Sequence, residues 1–407
     1  MRQKVTLSLT HRCNMGCRYC YAGNKDVKSD MTQETLAQGL EFAWAVSEES
    51  RELELGFFGG EPLLRRDLMD EAFAWVRRRQ EQDPRALAFI LTTNGTLLDE
   101  EMLQWIRRHR IHLCISLDGP PEIQDVSRPL RGGGVSSRLV VANLKRAMEM
   151  GVGFEVNAVY GPHVLPALPR VTAYLHELGV GAFHLTPDIR ADWEGTPPKA
   201  FAASFAGVAR EYIRAFENGR EVGVDVIDFK IKLFMKKGHG EEDRCGMGRN
   251  EWAVAPSGTV YPCERLIGED DASHLQLGNV ADGTGVLKRV PRADSPGAKI
   301  VVLGMPQSVP RRSLKKAKAT VEKAGALAAP SCQECSLADF CMHWCGCSNY
   351  HQTGRSNLPS RMICASETAA ILASQMVLRH FEKRPNAVFE KHFASLLQPV
   401  DCQSTPT

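Results

Sequence analysis

The chain has 407 residues, with 50 Lys and Arg against 48 Asp and Glu and a net charge of +2, so no global field favours nucleic acid or an anionic membrane as a partner. Its length suits two domains, or one barrel with an appendage. No apolar run reaches the length of a membrane span, and a strand-like run follows the N-terminus too closely for a signal peptide, which points to the cytoplasm. In that reducing compartment the 13 cysteines argue for metal rather than disulfides.

Residues 4–10 alternate in polarity and are partly β-branched, which predicts a strand. This strand delivers Cys13, Cys17 and Cys20, spaced C-x3-C-x2-C, to a loop at its C-terminal end, where barrel enzymes keep their chemistry. Three thiols are one short of a closed tetrahedral site, whereas a three-thiolate [4Fe–4S] cluster leaves one iron open to a small molecule. Half of a zinc ribbon is the rival reading. Leu36, Leu40 and Trp44 recur every four residues after a Thr32 cap and predict a helix. Residues 53–58 predict a second strand ending in Gly59-Gly60-Glu61-Pro62, where glycine lets backbone approach a ligand closely. Leu68, Ala72 and Val76 mark the next helix, and strands at 88–93, 111–116, 154–159 and 182–186 alternate with further helical segments, one around 100–109. Six such units predict an α/β fold, a partial (β/α)6 barrel of the TIM type over residues 1–221.

After residue 221 the rhythm gives way to glycine, proline and cysteine. Residues 222–244 read as a linker, residues 245–366 as a cysteine-rich auxiliary-cluster domain with a basic insertion around 281–330, and residues 367–407 as a helix and tail. Cys245 and Cys263 flank Gly258, and Cys332, Cys335, Cys341, Cys345 and Cys364 follow. The run from Arg311 to Lys323 reads as an exposed helix face or as a grip on an acidic peptide. Three cysteines stand apart: Cys114 as barrel lining near Ser116, Cys347 as ambiguous beside Cys345, and Cys402 as part of a Pro/Ser/Thr tail.

The three-cysteine loop and the paired-glycine turn together resemble the radical S-adenosylmethionine (SAM) enzymes. The resemblance implies that the open iron is chelated by the SAM amino and carboxylate groups, and that an electron splits SAM into methionine and a 5′-deoxyadenosyl radical. It places backbone carbonyls of Gly59, Gly60 and Glu61 on the SAM amino group. The Ser-Leu-Asp-Gly-Pro stretch beginning at Ser116 resembles the anaerobic sulfatase-maturating branch, where Ser116 and Arg128 would bind SAM while Tyr19 and Ile189 would contact adenine. That branch usually carries Gln before the paired glycines; this chain has Phe58. The late cysteines resemble the SPASM pattern, which implies an outer cluster on Cys332, Cys335, Cys341 and Cys364 and an inner one on Cys245, Cys263 and Cys345. The total is three [4Fe–4S] clusters, with a pair of zinc sites as the rival.

Fully ligated relatives carry one more cysteine shortly after the first, and residues 246–251 hold none. The inner cluster is then open to a substrate thiolate or closed by Cys347; strain in the glycine turn between Cys345 and Cys347 favours the open site. Glu264 falls where the sulfatase-maturating branch has an aspartate that takes a proton from the substrate. The implied activity is oxidation or cross-linking of a side chain in a ribosomal precursor peptide. Implied partners are that peptide or a protein substrate, an electron donor such as flavodoxin or ferredoxin, and a separate leader-binding protein, with neither nucleic acid nor membrane. Formylglycine formation on a sulfatase and a non-catalytic metal scaffold are the alternatives.

Overall fold

The computed structural model describes residues 1–22, 29–271, 275–283 and 332–397. The basic run at 311–323 and Cys402 lie outside the described residues. Strands β1 (Gln3–Ser8), β2 (Glu52–Phe58), β3 (Ala86–Thr93), β4 (Ile111–Ser116), β5 (Phe154–Tyr160) and β6 (Ala182–Pro187) pair in parallel in chain order. Helices α1 (Gln33–Val46), α2 (Arg66–Gln82), α3 (Glu100–Arg108), α4 (Pro121–Ser127), α5 (Ser137–Glu149) and α6 (Leu168–Glu177) connect them. Parallel strands need such crossovers, and the partial barrel follows.

Alternation along each strand sorts its two faces. Val5 and Leu7 of β1, Leu53 and Leu55 of β2, and Leu113 and Ile115 of β4 are fully buried in one continuous apolar core, while His112, Cys114 and Ser116 point to the opposite, polar side. The Thr32 hydroxyl accepts from the Thr35 N–H and starts α1, whose Leu36, Leu40 and Trp44 join the core.

The chain beyond residue 221 departs from the expected division. Residues 222–244 are no linker: they form β7 (Gly223–Val224), which pairs with β6, and α8 (Asp225–Lys236). The cysteine-rich part continues the barrel sheet, because β8 (Glu251–Val254) pairs in parallel with β1, β9 (Thr259–Tyr261) antiparallel with β8, and β10 (Gly278–Asn279) antiparallel with β9. Among the described residues the sheet therefore has ten strands, ordered β10-β9-β8-β1-β2-β3-β4-β5-β6-β7. Helix α7 (Pro198–Glu217) follows β6, and α9 (Gly346–Thr353) follows the last cysteine pair. Helix α10 (Arg361–Lys383) runs unbroken across the boundary expected at 366, carries Cys364 and Phe381, and packs on α7 and α8. Pro385 separates it from α11 (Ala387–Leu396). No helix of the described residues is long and apolar enough to cross a membrane.

Candidate active site and metal centres

Cys13, Cys17 and Cys20 lie on the loop after β1, and two neighbours clamp that loop. On one side Gly16 N and Arg18 N donate to the carbonyls of Pro129 and Ser127 at 2.8 and 3.0 Å, and Met15 bridges Leu130. On the other, the N–H groups of Gly60 and Glu61 donate to the carbonyls of Thr10 and Arg12 at 2.7 and 2.9 Å. A Cβ on Gly60 would collide with the Arg12 carbonyl, so only glycine lets the two backbones meet. Cys13 is buried, and its sulfur accepts from Met15 N at 3.4 Å and Asn94 Nδ2 at 3.7 Å. Amide donors suit a sulfur that carries charge, and three thiols on one loop fit a [4Fe–4S] cluster with an open iron. Asn94, which also donates to Asn14 Oδ1 at 2.8 Å, carried no assigned role in the sequence; its position at the end of a barrel strand was the available signal.

The Glu61 side chain has a place of its own beside the backbone role expected of the residue. Its fully buried carboxylate accepts from Leu63 N (3.1 Å), Thr93 Oγ1 (2.7 Å) and Asn94 N (2.8 Å). The side chain thus ties the paired-glycine turn to the end of β3. Burial pushes its pKa up to about 7, against the pull of those donors.

Tyr19 and Arg128 meet on a residue to which the sequence reading assigned no role. The Tyr19 hydroxyl donates to Asp118 Oδ2 at 2.6 Å, Arg128 Nε donates to Asp118 Oδ1 at 2.9 Å, and the guanidinium lies over the Tyr19 ring, 5.1 Å from its centroid. Asp118 also accepts from Val159 N at 2.9 Å, and its own N–H donates to Gln124 Oε1 at 2.8 Å. Ser116, two residues earlier at the end of β4, is buried on the barrel side. The Arg128 charge reaches Cys114 on that face, although burial still pushes the Cys114 thiol up to about 12. Ile189 is buried, and its carbonyl accepts from Gln352 Nε2 of α9 at 2.7 Å. The adjacent Arg190 donates to the Cys20 carbonyl at 3.3 Å. One short segment after β6 therefore joins the N-terminal cysteine loop to the cysteine-rich part.

The late cysteines gather in two groups. Cys332, Cys335, Cys341 and Cys364 form the outer one: burial, then the proximity of Cys335 and Cys364, raises the Cys332 thiol, and burial with nearby Cys335 raises Cys364. Cys335 and Cys341 rest on Leu233, Leu337, Phe340 and Ile371. Cys245, Cys263 and Cys345 gather at the inner site with Cys347, around Met247 and Leu266. Both groups supply the all-sulfur donor set that iron–sulfur clusters use.

The two ends of the protein come together at Tyr21. Its ring stacks on Phe58 at 6.1 Å, which gives the residue standing in place of the expected Gln an aromatic partner. Its buried hydroxyl is raised by desolvation, and Arg265, Glu264, Cys263 and Cys20 all lie within electrostatic reach. Glu264 Oε2 is 3.6 Å from the Cys263 sulfur. Burial alone would raise the Glu264 carboxyl, but Lys4 and Arg265 outweigh it and hold it below its ordinary value. Glu251 is raised instead, by burial and by the Glu264 charge, against the pull of Lys4.

Residues 7–167 match the family model of the Radical SAM superfamily. The chain is 29% identical over 176 residues to the uncharacterized protein MJ0907 of Methanocaldococcus jannaschii, an alignment covering 43% of this chain and 59% of the relative, so it spans about three fifths of that relative's length. It is 23% identical over 288 residues to the cysteine-type anaerobic sulfatase-maturating enzyme of Clostridium perfringens, covering 67% of this chain and 75% of the relative. To the PqqA peptide cyclase of Gluconobacter oxydans it is 29% identical over 264 residues, covering 63% and 68%. In fold it is similar to the structure of anSMEcpe with bound AdoMet, with a TM-score of 0.73 at 18% identity over 98% of this chain and 100% of that one. Streptococcus suis SuiB bound to its precursor peptide SuiA gives a TM-score of 0.55 at 13% identity over 89% and 76%. The chain thus carries, over residues 7–167, a domain of the Radical SAM superfamily.

Proposed function

We propose that this protein is a cytoplasmic SAM-dependent maturase that oxidises or cross-links an amino-acid side chain in a ribosomal precursor peptide. The observation that carries the reading is the position of Tyr21, within reach of Cys20 on one side and of Cys263, Glu264 and Arg265 on the other. A substrate side chain lodged there stands between two iron–sulfur sites. Cys13, Cys17 and Cys20 would hold the cluster whose chemistry is to supply the electron for SAM cleavage, and the late cysteines would hold two auxiliary clusters able to accept electrons from the substrate.

The chain's own residues bind, orient and move protons. Asp118 takes one N–H of Arg128, and the planar fork has others to offer the SAM carboxylate beside the Ser116 hydroxyl. Tyr19 and Ile189 would flank adenine, with Gly59, Gly60 and Glu61 holding the SAM amino group through their carbonyls. Glu264, kept ionised by Lys4 and Arg265, would take the proton from a substrate heteroatom and so make its carbon easier to oxidise. A flavodoxin or ferredoxin would deliver the electron, and a separate leader-binding protein would present the peptide. The names of PqqA peptide cyclase and of SuiB with its precursor peptide support a peptide substrate. Formylglycine formation on a sulfatase is the second reading, favoured by the likeness to anSMEcpe over nearly the whole chain.

The test is to reconstitute the protein anaerobically, add dithionite and SAM, and assay 5′-deoxyadenosine, then repeat with a short peptide encoded beside its gene and with a sulfatase peptide. Expected are 5′-deoxyadenosine and a mass change on the gene-adjacent peptide. Absence of 5′-deoxyadenosine would leave only a metal-binding scaffold, and formylglycine on the sulfatase peptide alone would establish the second reading.

A further inference from the structure

Four thiols, not three, converge at the inner site. Cys345 and Cys347 place their sulfurs 3.7 Å apart. Cys263 and Cys347 belong to one buried cluster against which Cys245 and Cys345 also pack, so the four thiols gather around Met247 and Leu266. Cys347 is 3% exposed and shares its apolar surroundings with the other three. The strain expected of the intervening glycine is absent: Gly346 is the first residue of α9, and its backbone lies outside the left-handed region. A Cβ there would meet only the movable end of the Met247 side chain at close range.

Glu251 is the rival fourth ligand, because its carboxylate lies within 4.8 Å of the ligand atoms of Cys263 and Glu264. Its Oε1 is engaged by Lys4 Nζ at 3.1 Å, across the parallel pairing of β1 with β8.

We propose that Cys347 is the fourth thiolate of the inner auxiliary site, which is therefore closed to a substrate thiol. The substrate is then held near the inner metal by groups such as Glu264 and Arg265 rather than by a bond to iron, and the inner site passes electrons only. The identity of the metal as a [4Fe–4S] cluster rests on the functional reading above; the four-thiol set does not.

The test uses the anaerobically reconstituted full chain, with iron, sulfide and zinc counted and the reduced protein examined by electron paramagnetic resonance. Wild type should hold about twelve irons, Cys347→Ala about eight with the other two signals intact, and Glu251→Gln about twelve. Added 2-mercaptoethanol should leave the wild-type inner signal unchanged. Twelve irons and an unaltered inner signal in Cys347→Ala, loss of that cluster in Glu251→Gln, or a wild-type inner signal that shifts with 2-mercaptoethanol would each overturn the proposal. About eight irons and one zinc in wild type, with the zinc lost in Cys347→Ala, would uphold the closed four-thiolate site and overturn the cluster reading alone. Should Cys347→Ala lose every iron, Cys347→Ser decides: a retained inner cluster with a changed signal supports ligation, and an unchanged signal refutes it.

Discussion

Arg128 and Asp118 are paired at 2.9 Å with side-chain exposures of 8% and 0%. The second oxygen of the same carboxylate receives the Tyr19 hydroxyl, so one aspartate sets the position of two residues assigned to SAM. Asp118→Asn should leave a buried guanidinium without its counter-charge, at a cost of roughly 3–5 kcal/mol. The expected result is a lower unfolding midpoint and SAM binding weakened at least tenfold, read by denaturant titration and calorimetry. Unchanged SAM affinity in a folded Asp118→Asn would remove Arg128 and Tyr19 from the SAM site.

Glu61 should make stability depend on pH. Its pKa is raised from an ordinary 4.5 to about 7 by burial, so between those values the folded state holds a proton that the unfolded state has released. The contribution is fully present below about pH 4.5 and lost as pH rises through 7, amounting to roughly 3 kcal/mol at most. Glu61→Gln should flatten that slope. It should also cost about 1–3 kcal/mol near pH 8, because one amide oxygen cannot serve Leu63 N, Asn94 N and the Thr93 hydroxyl together. Chemical denaturation of both proteins between pH 5 and 8 checks the two effects.

Gly60→Ala should damage one metal site and spare the others. The added methyl meets the Arg12 carbonyl on the loop that carries Cys13, while the late cysteines sit on other elements. About four of twelve irons should be lost, and SAM cleavage with them. Full iron content with normal cleavage would show that the loop tolerates the shift.

Glu264→Gln should hold all its clusters and cleave SAM at the wild-type rate, yet form at least about a hundredfold less modified peptide, the usual scale for a lost general base. Undiminished product would take Glu264 out of the mechanism. Replacing Lys4 with Met removes the first charge that holds Glu264 ionised. The pH profile of product formation should then move to higher pH, since the carboxylate would need more alkaline solution to ionise, and mass spectrometry across pH 5–9 would show it.

Periodicity and spacing made much of this protein legible in its sequence. The parallel strands and the Thr32-capped helix follow from local alternation, capping and four-residue repeats, which depend only on neighbours along the chain. The C-x3-C-x2-C loop was equally plain, because its three ligands come from one short stretch. Tertiary structure decided whatever depends on contacts between distant segments. Asp118 looks like part of a turn until Tyr19, 99 residues away, is seen to share its carboxylate with Arg128. Residues 222–244 read as a linker although Ile227, Ile231 and Leu233 have the spacing of the helix that α8 proves to be, while only pairing with β6 makes β7 a strand there. Cys263 and Cys347 come to share one buried cluster because β8 pairs with β1 while α9 is tied back to the segment after β6. Spacing singled out Cys245, Cys263 and Cys345 and left Cys347 open; that its thiol lies beside theirs depends on segments about a hundred residues apart in the chain, which spacing alone does not bring together.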